Sequence, residues 1–315
     1  MQQIPKVNLN DFLSANPKDK KQFISQLGAA FEEIGFVALK GHFLSSELME
    51  DLYAEIKAFF DLSLEEKKQY EVEGGGGQRG YTSFGKEHAK DRKVADLKEF
   101  WHFGQYEETS PKLYPENLRV NELPEFNQIG RETYKLLEKT AQHVLQAIAM
   151  HLHLEEHFFD PYIANGNSIL RAIHYPPITQ EPENALRAAA HGDINLITLL
   201  IGAQGSGLQV MTNDGTWIDA IAEPDELIIN MGDMMARLTN NQLKSTLHQV
   251  VNPPKEAWRN SRYSVPFFMH PVAEMPLNCL PHCVSEKHPK AYDDTTAGAF
   301  LHQRLIELGL IKINT

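Results

Sequence analysis

The chain has 315 residues, 42% apolar and 23% charged, which is enough to bury a core in one large domain or two ordinary ones. Its 30 Lys and Arg against 42 Asp and Glu leave a formal charge of −12, which argues against both a phosphate backbone and an anionic membrane surface as partner. No apolar run approaches the ~20 residues that span a bilayer, and the start, MQQIPKVNLNDF, has no basic stretch followed by an apolar block.

The predicted elements begin with a short strand in IPKVNL and a helix from Lys18 to Ile34, where Phe23, Leu27, Phe31 and Ile34 recur at helical spacing. GFVALKG follows as a strand bounded by glycines. Leu44 to Phe60 forms a second helix with Leu48, Leu52, Ile56 and Phe59 on one face. The glycine-rich run from Glu73 to Gly85 lacks the Lys-Ser/Thr pair of a phosphate loop and follows a charged helix, so it reads as a plain mobile loop. From Lys86 to Glu99 charges of both signs alternate, the pattern of a solvated face. Leu123 to Leu154 carries the longest helical periodicity.

From about Asn165 to 285 the texture changes to short β-rich runs: SILRAIHY, NLITLLIG, GLQVMT, TWIDAI, ELIINMG, HQVVNP and RYSVPFFMHP. That spacing belongs to an antiparallel sandwich or barrel, and Thr296 to Leu308 is a closing helix. The expected fold is therefore mainly β with flanking helices. It divides into an N-terminal helical and strand region over 1–115, a long helix over 116–160, a jelly-roll core over 161–290 and a C-terminal helix over 291–315. Cys279 and Cys283 flank Pro281, which disfavours a helix; in extended chain they stand roughly 13 Å apart, too far to bridge. The compartment expected is the cytoplasm.

Most of the fourteen histidines offer no ligand set. His88, His102, His143, His151 and His288 lie in helical or polar stretches, and His153 and His157 share a helix face without a third ligand. Cys279, His282 and Cys283 lack the second pair that a closed zinc site needs. His191 and Asp193 differ. They open AAAHGDINLITLL at i and i+2, so on a strand they project together. His248 heads HQVVNP, 55 residues beyond Asp193. Two imidazoles and one carboxylate on one face make the triad that leaves positions open on Fe(II); strand-end hydrogen bonding is the alternative. Arg262 and Ser264, again at i and i+2, offer a guanidinium fork and a hydroxyl to a carboxylate, either a ligand's or the protein's own. Tyr175 adds a hydroxyl on an inward strand.

In this order and spacing, H-x-D (His191, Asp193), a distal His248 and R-x-S (Arg262, Ser264) resemble the Fe(II)/2-oxoglutarate-dependent dioxygenases of the isopenicillin N synthase-like group. The likeness runs through nearly the whole chain: IPKVNLNDF, GFVALKGHFL, ILRAIHYPP, LIINMGDMMARLTNNQLKSTLHQVVNP and LIELGLI. It implies a double-stranded β-helix (jelly-roll) core with Fe(II) on His191, Asp193 and His248. It further implies 2-oxoglutarate on Arg262 and Ser264 with Tyr175 as a lesser contact, O2 as the second cosubstrate, and succinate and CO2 as products. Plant members often carry Asn two residues before that Tyr; here the position is Ile173.

The substrate expected is a small molecule, with no nucleic-acid and no membrane partner, in a pocket lined by Tyr81, Phe84, Arg171 and Phe268. Arg171 either binds an acidic substrate or is a salt-bridged strand residue. No catalytic residue is expected beyond the iron ligands, and the oligomeric state is not indicated. Two other classes stay open. One is an oxidase that uses O2 without 2-oxoglutarate, as isopenicillin N synthase does; the other is a non-catalytic jelly-roll sensor of a ligand or metal.

Overall fold

The structure, a computed structural model, describes residues 3–73, 77–86, 96–106, 114–182, 185–204 and 207–308. Strand β1 (Lys6–Asn8) leads through a single turn of helix, α1 (Leu9–Phe12), into α2 (Pro17–Glu33). Asn16 caps α2 by accepting from the Lys18 N–H, and Pro17 sits in the first turn, where its missing N–H is harmless. After β2 (Phe36–Lys40) come α3 (Ser46–Asp61), capped by Ser45, and α4 (Leu64–Lys68), held by a reciprocal Ser63–Glu66 capping box. Two further strands, β3 (Gly80–Thr82) and β4 (Glu99–Phe103), precede the 28-residue α5 (Pro124–His151), which packs on α2 and α3.

The remaining elements are α6 (Asp160–Ile163), β5 (Ile169–Tyr175), β6 (Ala188–His191), β7 (Ile197–Gln204), β8 (Leu208–Met211), β9 (Trp217–Asp219) and β10 (Leu227–Met231). They end with α7 (Asp233–Leu238), β11 (His248–Val250), β12 (Arg262–Met269) and α8 (Ala297–Glu307). The strands form two sheets: eight in the order β1-β2-β10-β7-β12-β5-β4-β3, and four in the order β6-β11-β8-β9. Among the described strands only β1 with β2 pairs in parallel. This is the mainly β core with flanking helices that the sequence predicts, as an open double sheet rather than a closed barrel.

One face of the large sheet packs against α2, α3 and α5 through the main apolar cluster. The other faces the small sheet. Central strands covered on both faces need apolar residues at consecutive positions, hence the runs ITLLI and LIINM. Among the described residues no helix is long and apolar enough to cross a membrane.

Three expectations are corrected here. The glycine-rich run is not all loop: Gly80–Thr82 pairs with β4, while residues 74–76 lie outside the described part. Nor is the charged stretch a solvated face. Residues 87–95 lie outside the described part, but Asp96, Lys98 and Glu99 are buried. Lys98 donates to Asp96 at 2.9 Å. Glu99 takes Lys67 at 3.0 Å and His174 at 2.7 Å, and accepts from the Tyr81 hydroxyl. Glu99 draws its partners from α4, β3 and β5, and Lys98 pairs with Asp96 within its own segment. Third, Pro281 does not keep its segment extended. It opens a 3-10 turn, Pro281–Cys283, and both cysteines are free.

The Lys67–Glu99 pair yields a test. Removing one partner of a buried pair strands the other charge, at a cost of about 3–5 kcal/mol. Glu99→Ala should lower the urea-unfolding free energy by that order. A change within about 0.5 kcal/mol, as for surface substitutions, would return this stretch to the solvated face.

Candidate active site

The two sheets meet at His191, Asp193 and His248. His191 ends β6 and stands in register with His248, the first residue of β11. Their rings lie 4.4 Å apart between centroids. Asp193 is not on the same strand as His191. It lies in the turn between β6 and β7, so the i, i+2 argument brings the pair together for the wrong reason. What aims the carboxylate is the large sheet: its Oδ2 accepts from Thr198 Oγ1 at 2.6 Å on β7 and from Asn230 Nδ2 at 2.8 Å on β10. Oδ1 is left facing His191 Nε2 at 4.0 Å and His248 Nε2 at 3.8 Å. One ligand atom from each residue falls within 4.8 Å of the others.

Backbone carbonyls choose the tautomers. His191 Nδ1 donates to the Ala189 carbonyl at 2.7 Å and His248 Nδ1 to that of Thr246 at 3.2 Å, so the Nε2 lone pairs are free for a metal. Burial drives the His191 pKa down to about 4, and the neighbouring His248 adds to the effect. Burial opposes the charge on Asp193, but His248 and His191, with hydrogen bonds from Asn230 and Thr198, outweigh it and hold the carboxyl below its ordinary range. Two neutral imidazoles and one carboxylate, gathered on one side, suit Fe(II) and leave it open positions.

A second feature lies further along the sheet interior. Arg262 pairs in register with Tyr175 and Ser264 with Ile173, all on the face toward the small sheet. Arg262 is 2% exposed, and its Nε and Nη1 have no hydrogen-bond partner. The Tyr175 ring centroid lies 5.0 Å from its guanidinium carbon. No carboxylate among the described residues pairs with it, so the protein ion pair entertained from the sequence is absent there. A buried guanidinium without a counter-charge is costly, and the arrangement calls for an anion.

Between Arg171 and the triad opens a cavity of about 260 Å³, walled by His102, Arg171, His191, Asp193, Phe268 and His270, and by Leu301, Arg304 and Leu305 of α8. Arg171 Nε donates to His102 Nε2 at 2.6 Å, with its guanidinium carbon 4.2 Å from the Phe100 ring centroid and 5.3 Å from that of Phe268. The cavity wall covers this end of the β5–β12 row and does not include Arg262, Ser264 or Tyr175.

Tyr81 and Phe84 do not line the cavity. Tyr81 pairs with Trp101, and the pleat turns both toward the helices, into an aromatic cluster around Phe59; Phe84 is 50% exposed. The neighbours of Trp101 on the other face, Phe100 and His102, take the inward positions instead.

Two family models match the chain: one described as the non-haem dioxygenase in morphine synthesis N-terminal, over residues 4–125, and the 2OG-Fe(II) oxygenase superfamily, over residues 166–271. A 2-oxoglutarate-Fe(II) type oxidoreductase of Aspergillus fumigatus is 31% identical over 306 residues, covering 93% of this chain and 89% of the relative. The chain belongs to the 2OG-Fe(II) oxygenase superfamily. Among solved structures it is similar to a Caulobacter crescentus protein placed in that family, with 42% identity, a TM-score of 0.85 and coverage of 98% and 99% of the two chains. It is also similar to a full-length Neurospora crassa protein solved in complex with alpha-KG, with 28% identity, a TM-score of 0.86 and coverage of 96% and 95%. Fe(II) is thus the metal, and 2-oxoglutarate and O2 are the cosubstrates.

Several residues of this oxygenase's site escape a reading of the sequence. Thr198 and Asn230, which aim Asp193, interrupt apolar strands, and a polar residue inside such a run is the signal that could find them. His102 falls among the histidines without a ligand set, and His270 belongs to no motif. The closing helix reaches the site through Arg304, whose Nη2 lies 3.5 Å from Asp233 Oδ2, while the Asp233 N–H donates to the Asp193 carbonyl at 2.7 Å.

His270 also predicts a pH dependence. Burial lowers its pKa from 6.5 to about 4. Between those values the unfolded chain binds the extra proton, so stability is complete above about pH 6.5 and is lost as pH falls toward 4. His270 alone accounts for a loss on the order of 3 kcal/mol, and His191 acts in the same direction. Urea midpoints of the metal-free protein should fall between pH 7 and 5, and less so in His270→Gln. Equal slopes for the two proteins would remove His270 as the cause.

Proposed function

We propose that the protein oxidises a small organic substrate with His191, Asp193 and His248 holding Fe(II), and Arg262 and Ser264 holding the far carboxylate of 2-oxoglutarate against Tyr175. The observation that carries the cosubstrate assignment is the buried Arg262 without a counter-ion, on the same inward row as the cavity. Bound iron supplies the activation of oxygen coupled to decarboxylation of 2-oxoglutarate to succinate and CO2, chemistry no side chain provides.

The chain's own residues do the rest. Thr198 and Asn230 fix one carboxylate oxygen of Asp193 so that the other points inward. The carbonyls of Ala189 and Thr246 fix both imidazoles. Phe268, Leu301 and Leu305 make the cavity wall partly apolar and exclude water from it, while Arg171, steadied by His102 and two aromatic rings, orients a polar group of the substrate. The cavity volume suits a small molecule, and the Neurospora crassa protein has also been solved with alpha-KG and thymine.

Asp193→Ala should lose bound iron and all succinate production while remaining folded; a variant that kept iron and turnover would remove Asp193 from the site. Arg262→Lys cannot reproduce the guanidinium fork. It should raise the KM for 2-oxoglutarate about tenfold or more with iron content unchanged, since one charge-assisted bond is worth about 1.5–3 kcal/mol. If Arg262→Lys weakened only the primary substrate, or the native protein turned over without any 2-oxo acid, Arg262 would instead serve the substrate's carboxylate.

A further inference from the structure

Arg262 is not the only buried cation at this end of the interior. Arg187, immediately before β6, is 4% exposed, and its Nε has no hydrogen-bond partner. Its guanidinium carbon lies 5.9 Å from the centroid of the Tyr175 ring, the ring that Arg262 approaches at 5.0 Å. Its Nη2 donates to the carbonyl of Asn260, two residues before Arg262, at 3.0 Å, and its own N–H is held by Asn252 Oδ1 at 3.0 Å. Burial and the charge of Arg262 both work against its protonation. Neither arginine forms an ion pair among the described residues.

Two like charges out of water at one tyrosine repel each other and lack solvent. The surrounding cluster of Phe100, Ile173, Ala188 and Val250 provides no carboxylate. Such a pair is stabilised when an anion lies between the two. The anion must carry a full charge and two acceptor oxygens to serve two forks, which describes a carboxylate.

We infer that Arg187 is a second cation of the cosubstrate pocket, so that the far carboxylate of 2-oxoglutarate is clasped by one guanidinium from each sheet. The inference rests on the reading of Arg262 above. Arg187 is then a specificity-determining residue: it selects 2-oxo diacids over 2-oxo monoacids, and binding the cosubstrate ties the small sheet to the large one.

The competing role is a strap, in which Arg187 merely fastens the Asn260 carbonyl. Anaerobic calorimetric titration of the Fe(II)-loaded protein separates the two. The ligands are 2-oxoglutarate and 2-oxovalerate, which shares the 2-oxo acid end and the chain length but lacks the far carboxylate. The native protein should bind 2-oxoglutarate far more tightly. Arg187→Gln should weaken 2-oxoglutarate about tenfold or more and leave 2-oxovalerate within about twofold. Arg187→Lys, which keeps the charge and most of the packing, should lie between. An equal loss for both ligands is the result of a strap and overturns the inference, as does native discrimination in either variant. If the native protein binds the two acids alike, the assignment of Arg262 falls first and that of Arg187 with it.

Discussion

Asp193 joins two sheets that share no backbone hydrogen bonds at the site. One oxygen is spent on Thr198 and Asn230 of the large sheet, and the other faces two imidazoles carried by the small one. Its charge in a buried position is supported by the hydrogen bonds from Thr198 and Asn230. Everything else near the metal is arranged around that carboxylate. The His191–His248 register brings the imidazoles level, their Nδ1 atoms are committed to carbonyls, and the next turn is pinned by the Asp233 N–H on the Asp193 carbonyl. A metal ion held by these three residues would complete the connection between the sheets.

The pleat of the large sheet sorts the interior charges into two compartments. On the helix face, Glu99 gathers Lys67, His174 and Tyr81 into a closed network whose hydrogen bonds outweigh the burial cost and keep it ionised. On the inner face Lys98 is matched by Asp96, but two arginines are not matched in the same way. Arg262 and Arg187 have no carboxylate among the described residues, and that imbalance is the property expected of a pocket waiting for a dianion. A protein can bury a surplus of guanidinium groups when the ligand supplies the counter-charge.

The same alternation decides which aromatic residues can meet a substrate. Phe100 and His102 turn inward while Trp101, one position away, and its β3 partner Tyr81 are locked in the aromatic core. A one-residue change of register in β4 would exchange these sets, so the strength of the core packing around Phe59 and Trp101 is also what fixes the cavity wall. The closing helix depends on the site in turn, because Arg304 reaches Asp233 beside the metal turn.

The short-range patterns were legible in the sequence because they are properties of a few neighbouring residues. The helical periodicities, the β-rich texture after Asn165, the H-x-D and R-x-S pairs, and the order His191, Asp193, His248, Arg262, Ser264 all belong to this class. They indicate the fold class, and the order of the motifs along the chain carries the family resemblance that implies the chemistry. Long-range pairing decided the rest. Only the β3–β4 register turns Tyr81 away from the pocket, and only the fold shows that Asp96, Lys98 and Glu99 are buried, Glu99 with partners distant in sequence. Thr198 and Asn230 acquire their role because β7 and β10 lie side by side, and Arg187 comes to the Tyr175 ring because the small sheet folds over it. A side chain's identity is written in the chain, but its partners and its burial depend on which strands become neighbours, a property of the whole chain's packing.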